Sequence, residues 1–412
     1  MTRPAPSRRL VATRSFAFRA VASFFVAVLT LGCESASPPE QSSAAQPQES
    51  DAPTTAPSVA NGRTPETEVE ALVCEATGLS PDDLNESIAL FDGSSTFGWE
   101  GSARVEDGEL VVSASGEPAT LVHFAPFIDF ELEGTLRTSD DFRGGVVARS
   151  QSETDPASDA NLVRVEPGRT VVVRVVCDGG QVSSFLDGEE QARSMAVVGD
   201  GVPDAGRVAL VVEAGTLFVD TLSARPLNLE DLLVEDDWQV NGDVEATFSD
   251  DGVRLVGGLG FLQSQRQYDD FVLQARVVAL SPTTNSGVFF RAMTPSKPTE
   301  SNGYEMQVSP EFDGLRTKPT DAGAGAIFRR QDARLQLLDA NEPTTLTLVA
   351  SGDHFMTWVA GYPVAAFVDQ RPDDPNPRRG RRLDAGHLLL QGHDPGTDVR
   401  FQRLALQPFP NE

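Results

Sequence analysis

Several residue types are scarce in this 412-residue chain, and each scarcity excludes something. There are three Cys and four His. No Cys or His cluster has the spacing of a zinc site. Trp and Tyr occur three times each and Met five times, whereas Phe occurs 23 times. Bases are outnumbered, with 33 Lys plus Arg against 61 Asp plus Glu and a net charge of −28. A chain that acidic repels nucleic acid and anionic lipid, and most of its charges serve solubility. No Ser/His/Asp constellation, phosphate loop or dinucleotide fingerprint is present. The acidic stretch Ser139-Asp140-Asp141 has adjacent carboxylates instead of the alternating ligands of a calcium loop. Neither metal nor other cofactor is expected.

The N-terminus reads as an export leader. Arg3, Arg8, Arg9, Arg14 and Arg19 form a basic segment with no acids, so its removal leaves the remainder still more acidic. The apolar run over residues 20–31 is too short to span a bilayer as a helix and suits a signal sequence. Leu29-Thr30-Leu31-Gly32-Cys33 resembles a bacterial lipoprotein signal, with Cys33 as the lipidated residue and Thr30 as a departure from the usual pattern. Residues 1–32 are therefore expected to be a signal sequence. Residues 33–66, rich in Ser, Pro, Ala, Gln and Glu, are expected to be a disordered tether. The product would be exported and anchored in the cell envelope. A short helical lead-in follows over residues 67–85. Cys74, in that helix, and Cys177, at a strand end, either pair as a disulfide in an oxidising compartment or remain buried thiols.

The rest is an internal repeat. Asp107-Gly108, Ile128-Asp129-Phe130-Glu131-Leu132 and Gly144-Gly145-Val146-Val147-Ala148-Arg149 recur as Asp251-Gly252, Asp269-Asp270-Phe271-Val272-Leu273 and Ser286-Gly287-Val288-Phe289-Phe290-Arg291, in the same order and at similar spacing. Short apolar strands separated by Gly/Asp turns, with almost no helix, predict an all-β chain of two antiparallel sandwiches in tandem. Their expected spans are 86–226 and 227–412. Asp107-Gly108 and Asp251-Gly252 are expected to be tight hairpin turns.

Alternate strand residues share a face. Asn285 and Arg291 on one strand, with Glu305 and Gln307 on the next, are thus expected to line one polar sheet surface suited to a polyhydroxylated ligand. The alternative for Arg291 and Glu305 is a cross-strand ion pair on a solvated face. The basic run Arg378-Arg379-Gly380-Arg381-Arg382, set among Asp373, Asp374 and Asp384, reads as a solvated loop, with contact to an anionic glycan as a minority alternative. Trp99, Trp238 and Trp358 read as packing residues, and His123, His354 and His387 as structural or exposed.

Leu90-Phe91-Asp92-Gly93 with Gly98-Trp99, the Asn-Ser-Gly-Val-Phe-Phe-Arg and Gly-Tyr-Glu-x-Gln strands, Ala324-Gly325-Ala326-Ile327-Phe328, and Leu390-Gln391-Gly392-His393 together resemble the 3-keto-disaccharide hydrolase family. The resemblance implies concanavalin/laminin-G-like jelly rolls and hydrolysis of glycosides oxidised at C3. The family's closing Phe-Arg-Asn stands here as Phe401-Gln402-Arg403. The first copy reads Asn161-Leu162-Val163-Arg164 where the second has the Glu and Gln, so any activity is expected in the second copy. Chemistry and motif position make Glu305 or His393 the base and Arg291 the enolate stabiliser. Asn285, Tyr304, Gln307 and Gln391 would contact substrate. A lectin-like module that binds glycan or protein without turnover is the alternative function.

Overall fold

The computed structural model describes residues 64–150, 156, 159, 161–195, 204–293 and 302–410, all within one compact unit, Val59–Glu412. The expected signal sequence, Cys33 and most of the tether lie outside the described residues.

The chain is all-β. Among the described residues, two sandwiches each pair an eight-stranded with a five-stranded antiparallel sheet. In the first, the five-stranded sheet runs Trp99–Gly101, Ala119–Phe127, Gly206–Ala214, Arg143–Ser150, Leu162–Arg164. In the second it runs Trp238–Gly242, Gly260–Tyr268, Gly386–Gly392, Ser286–Ala292, Tyr304–Val308. The order is the same, so the sequence repeat is a structural repeat. Alternation explains the layering. In Phe130–Thr138, Phe130, Leu132 and Leu136 are fully buried while Glu133 and Arg137 are exposed.

The two Asp-Gly pairs are not equivalent. Asp107 and Gly108 both take positive φ (51° and 83°) between paired Glu106 and Glu109, as a primed turn requires. In the second copy Ser249 pairs with Gly252, so Asp250 and Asp251 make the turn. Gly252 follows at φ 95°, where a Cβ would meet the Phe401 carbonyl.

The lead-in helix α1 spans Glu68–Thr77. Thr67 caps it by accepting from the Glu70 N–H, and Gly78 ends it at φ 74°. Its buried face, Val69 and Val73, joins the core of the second sandwich, not the first. Cys74 packs at the edge of that core, whereas Cys177 lies in the first core. The disulfide alternative is thereby corrected: the sulfurs belong to different cores and are not bonded to each other.

The sandwiches also share packing. Val272, Val349, Met356 and Trp358 of the second belong to the apolar cluster of the first. The Trp358 indole donates to the Ala89 carbonyl at 2.8 Å. Trp99 and Trp238 donate likewise to Leu90 and Leu232, so all three indoles tie buried rings to main chain. His123 stacks on Trp358 in this interface, and burial pushes its imidazole down to about 4. Asp92, at 1% exposure, accepts from Ser94 and Ser95 and forms an ion pair with Arg334 of the other sandwich.

Candidate functional site

The edge strand Tyr304–Val308 splits its side chains by the pleat. Tyr304, Met306 and Val308 enter the second core, and Glu305 and Gln307 take the outer face. The neighbouring Ser286–Ala292 sets Gly287 opposite Gln307 and Phe289 opposite Glu305. Gly287 has a specific use, because a Cβ there would lie 2.7 Å from the Glu305 Oε1 and 2.9 Å from its Cγ. Its bare backbone makes room for the carboxylate to lie across the strand.

The loop after the edge strand closes over it. Gly325 donates to the Gln307 carbonyl, Gln307 to Ala326 and Phe328 to the Glu305 carbonyl, so the segment docks almost as a further strand. It thereby sets Phe328, Arg329 and Arg330 at the rim of a cleft of about 740 Å3. Asn285, Glu305, Gln307, Asp321, Arg378, Gln391 and His393 line the same cleft.

Five of the seven residues expected at the site thus converge: Asn285, Glu305, Gln307, Gln391 and His393. Two do not. Arg291 is fully buried elsewhere. It donates from Nε to the Asp269 carbonyl, from one terminal nitrogen to Gly352 and Arg382, and from the other to Asp270 at 2.5 Å. Strict alternation puts residue 291 on the face of Phe289, but the register shifts between Phe289 and Ala292, and Arg291 takes φ 48° in that bulge. The inserted residue turns the guanidinium inward. This corrects both the enolate-stabilising role and the cross-strand pair with Glu305. Tyr304 also points away from the cleft. Its hydroxyl donates to Asp369 at 2.7 Å and accepts from the Arg382 N–H at 3.0 Å, and burial pushes it up to about 12. Asp369 in turn holds Arg371, which braces the Pro377 and Gly380 carbonyls. Tyr304 therefore anchors the loop over the site and does not line it.

That loop delivers the partner of Glu305. Arg378 is sandwiched between the Phe289 and Phe328 rings (5.1 and 5.7 Å from their centroids) and pairs with Glu305 at 2.6 Å. Burial pushes the Glu305 carboxyl up, and Arg378 only partly offsets it. Gln307 donates to Asn285 and Asp321, while its buried Oε1 has no partner among the described residues. The same holds for Gln391 Oε1 and Arg378 Nε. Two acceptors and one donor in a concave site suit a ligand rich in hydroxyls. His393 stands at the rim, bonded to Asp394 at 2.9 Å. Sequence reasoning missed Arg378, Asp321, Phe328, Arg329 and Arg330 as site residues. All lie on loops, where no periodicity reports direction, although the basic run at 378–382 was a visible signal.

Among the described residues no group of three His, Cys, Asp or Glu is arranged to hold a metal. A second cavity, about 410 Å3, lies between α1 and the second sandwich. Its central cation, Arg276, is engaged by Asn85 and Gln402, which makes it a structural seam.

The repeat supplies the comparison within the chain. Gly145 pairs with Arg164 and Val147 with Leu162, so Leu162 occupies the place of Glu305, and Arg164 that of Gln307. The first copy keeps the strands without the carboxylate.

The model of the 3-keto-alpha-glucoside-1,2-lyase-like domain matches residues 86–219 and 231–407. The chain belongs to this family. Both copies match, which makes the protein a two-domain member with a carbohydrate-related function. No curated protein matches. Among solved structures, a Parabacteroides distasonis protein named provisionally as a glycosyl hydrolase is 17% identical, covering 44% of this chain and all of its own, with a TM-score of 0.34. The carbohydrate-binding module CBM66 of Bacillus subtilis is 17% identical over 42% of this chain and 93% of its own, with a TM-score of 0.27.

Proposed function

We propose that the second sandwich cleaves 3-keto-glycosides, and that the chain works in the cell envelope on a lipid anchor at Cys33. The observation that carries the reading is a buried carboxylate, Glu305, lifted by burial and set in a polar cleft beside Arg378 and His393. A ketone at C3 acidifies the C2 hydrogen. Glu305 takes that proton as general base, and a raised carboxyl is the better base once ionised. The electron pair moves into the C2–C3 bond, and the resulting O3 enolate is met by Arg378, which replaces Arg291 in this role. As the enolate collapses, the C1–O bond breaks with elimination. His393 returns a proton to the departing oxygen, leaving an enone. Water adds across it, so the sum is hydrolysis to a 3-keto sugar and the aglycone.

The test is release of 4-nitrophenol from 4-nitrophenyl 3-keto-α-glucoside. Glu305→Gln is expected to lower kcat by about 10²–10⁴-fold, the usual contribution of a positioned base. Wild-type kcat/KM should rise with pH through the lifted Glu305 value, because only the ionised form accepts the proton. Full activity in Glu305→Gln would sink the assignment. Saturable binding of the unoxidised glycoside with no release by the wild type would favour the lectin-like alternative.

A further inference from the structure

The rim of the cleft carries arginines that no carboxylate among the described residues pairs. In this acidic chain, nearby arginines have carboxylate partners: Arg371 with Asp369, Arg379 with Asp374, and Arg381 with Asp373 and Asp353. Arg329 and Arg330 have none among the described residues. Arg329 is exposed at φ 61° and rests over the Phe328 ring. Among the described residues Arg330 donates to the carbonyls of Arg329, Pro377 and Arg378, which tie it to the loop that carries Arg378. Of the two acids lining the cleft, Glu305 is paired with Arg378, whereas Asp321 accepts from the neutral amides of Asn285 and Gln307 and keeps its charge, which leaves two rim guanidinium groups against one carboxylate. Arg378 keeps a buried Nε without a partner among the described residues. The charges also crowd one another. Burial pulls the Arg330 guanidinium down, and the positive charges of Arg371 and Arg378 pull it further against the smaller opposing effect of Asp369.

Three guanidinium groups line one cleft, two of them without a carboxylate partner among the described residues, and guanidinium is the side chain suited to bidentate binding of an oxyanion. We propose that the glycoside taken by this site is anionic, carrying a carboxylate or sulfate group that Arg329 and Arg330 bind at the rim. This deepens the proposed function and rests on it for the identity of the reacting sugar. A carboxylate or sulfate satisfies both side chains, whereas a neutral hydroxyl leaves their charge uncompensated.

The experiment uses the full chain and two readouts. The first is kcat/KM on 4-nitrophenyl 3-keto-α-glucoside, on the corresponding 3-keto-α-glucuronide and on the 6-O-sulfate. The second is binding of the unoxidised methyl α-glucoside, its glucuronide and its 6-O-sulfate by calorimetry, at low salt and at 0.5 M NaCl. The expected result is a preference of about 10- to 100-fold for an anionic ligand, the range of one charge-assisted hydrogen bond. The preference should weaken in salt and shrink toward unity in Arg329→Gln/Arg330→Gln. Because the readout is a ratio within one variant, a partial folding defect cancels. Preference for glucuronide alone identifies a uronoside, and preference for the sulfate alone a sulfated glycan. Equal affinity for neutral and anionic ligands overturns the proposal, as does a preference that survives in the double variant. Turnover of the neutral 3-keto-glucoside with no anionic preference removes this inference and leaves the catalytic reading intact. Anionic preference in binding without any turnover does the reverse.

Discussion

Replacing Arg291 with Met separates a structural clamp from a catalytic group. The side chain is fully buried and its four hydrogen bonds hold three carbonyls and the Asp270 carboxylate, which also caps the Gly352 N–H at 2.8 Å. Met fills similar volume but leaves those acceptors without their donor. Breaking a buried pair by removing one partner costs about 3–5 kcal/mol. In a domain of this size each kcal/mol shifts Tm by roughly 2–4 °C, so a fall of about 6–20 °C is expected by calorimetry or circular dichroism. Arg149→Met is the matched control. Arg149 also sits in a bulge, at φ 57°, donating to the Ile128 and Gly179 carbonyls in a copy with Leu162 in place of the carboxylate. It should lose stability as well, with no direct effect on chemistry. A Tm for Arg291→Met within 2 °C of wild type, together with a kcat reduced about 100-fold or more, would refute the reasoning and restore Arg291 to the chemistry.

Two further outcomes follow from buried titratable groups. Burial pushes the Asp92 carboxyl up, but hydrogen bonds from Ser95, Arg334 and Ser94 outweigh it, and it lies below the ordinary carboxylate range. A depressed carboxylate stabilises the fold above its unfolded value, and that stability is lost as pH falls through the folded one. Asp92→Asn should therefore lower Tm at neutral pH and flatten the acid limb of the stability curve; an unchanged acid limb would contradict this. The Cys177 thiol is raised to about 12 by burial, so it is almost entirely protonated at pH 8 and shielded. A pulse of iodoacetamide with peptide mapping should leave Cys177 unmodified until the chain unfolds and yield no peptide cross-linked to Cys74. Rapid native labelling of Cys177, or a linked peptide, would overturn the placement of the two thiols in separate cores.

The sandwich class was legible because strand period and turn residues are local signals. The repeat was legible because the two copies share order and spacing. Alternation correctly put Glu305 and Gln307 on the outer face, and applied strictly it also sends Tyr304 to the core. It failed at Arg291 because a single inserted residue reverses parity, and nothing in Phe-Phe-Arg marks a bulge. The basic run made Arg378 visible, but its pairing with Glu305 was out of reach for another reason. Arg378 is 73 positions from Glu305, and its direction is set by Tyr304, Asp369 and Arg371 bracing the loop from beneath. The helix lead-in precedes the first sandwich in sequence yet completes the second core, a long-range choice that composition cannot report.

The two copies together sort architecture from function. Both place Arg at positive φ in a bulge near the end of the strand next to the sheet edge, and both hold it beside an aspartate, Asp129 in one and Asp270 in the other. A backbone conformation that L side chains rarely adopt persists only where its surroundings compensate. Two carbonyl contacts recur at matching positions, Ile128 and Gly179 for Arg149 and Asp269 and Gly352 for Arg291, so this arginine belongs to the scaffold. Around it the outer face has gone two ways. In the first copy Val122, Val147, Ala209 and Val211 make a small apolar cluster flanked by Leu162. In the second, Gln391 stands at the position matching Val211, and Glu305 and Gln307 stand beside it. One copy shows that the sandwich closes with Val211 at the place of Gln391 and Leu162 at the place of Glu305. The other carries a buried carboxylate and two amides whose oxygens have no partner among the described residues, at a cost to stability that the fold alone does not require. Groups that a fold tolerates but does not need are those to expect where a ligand completes their hydrogen bonds.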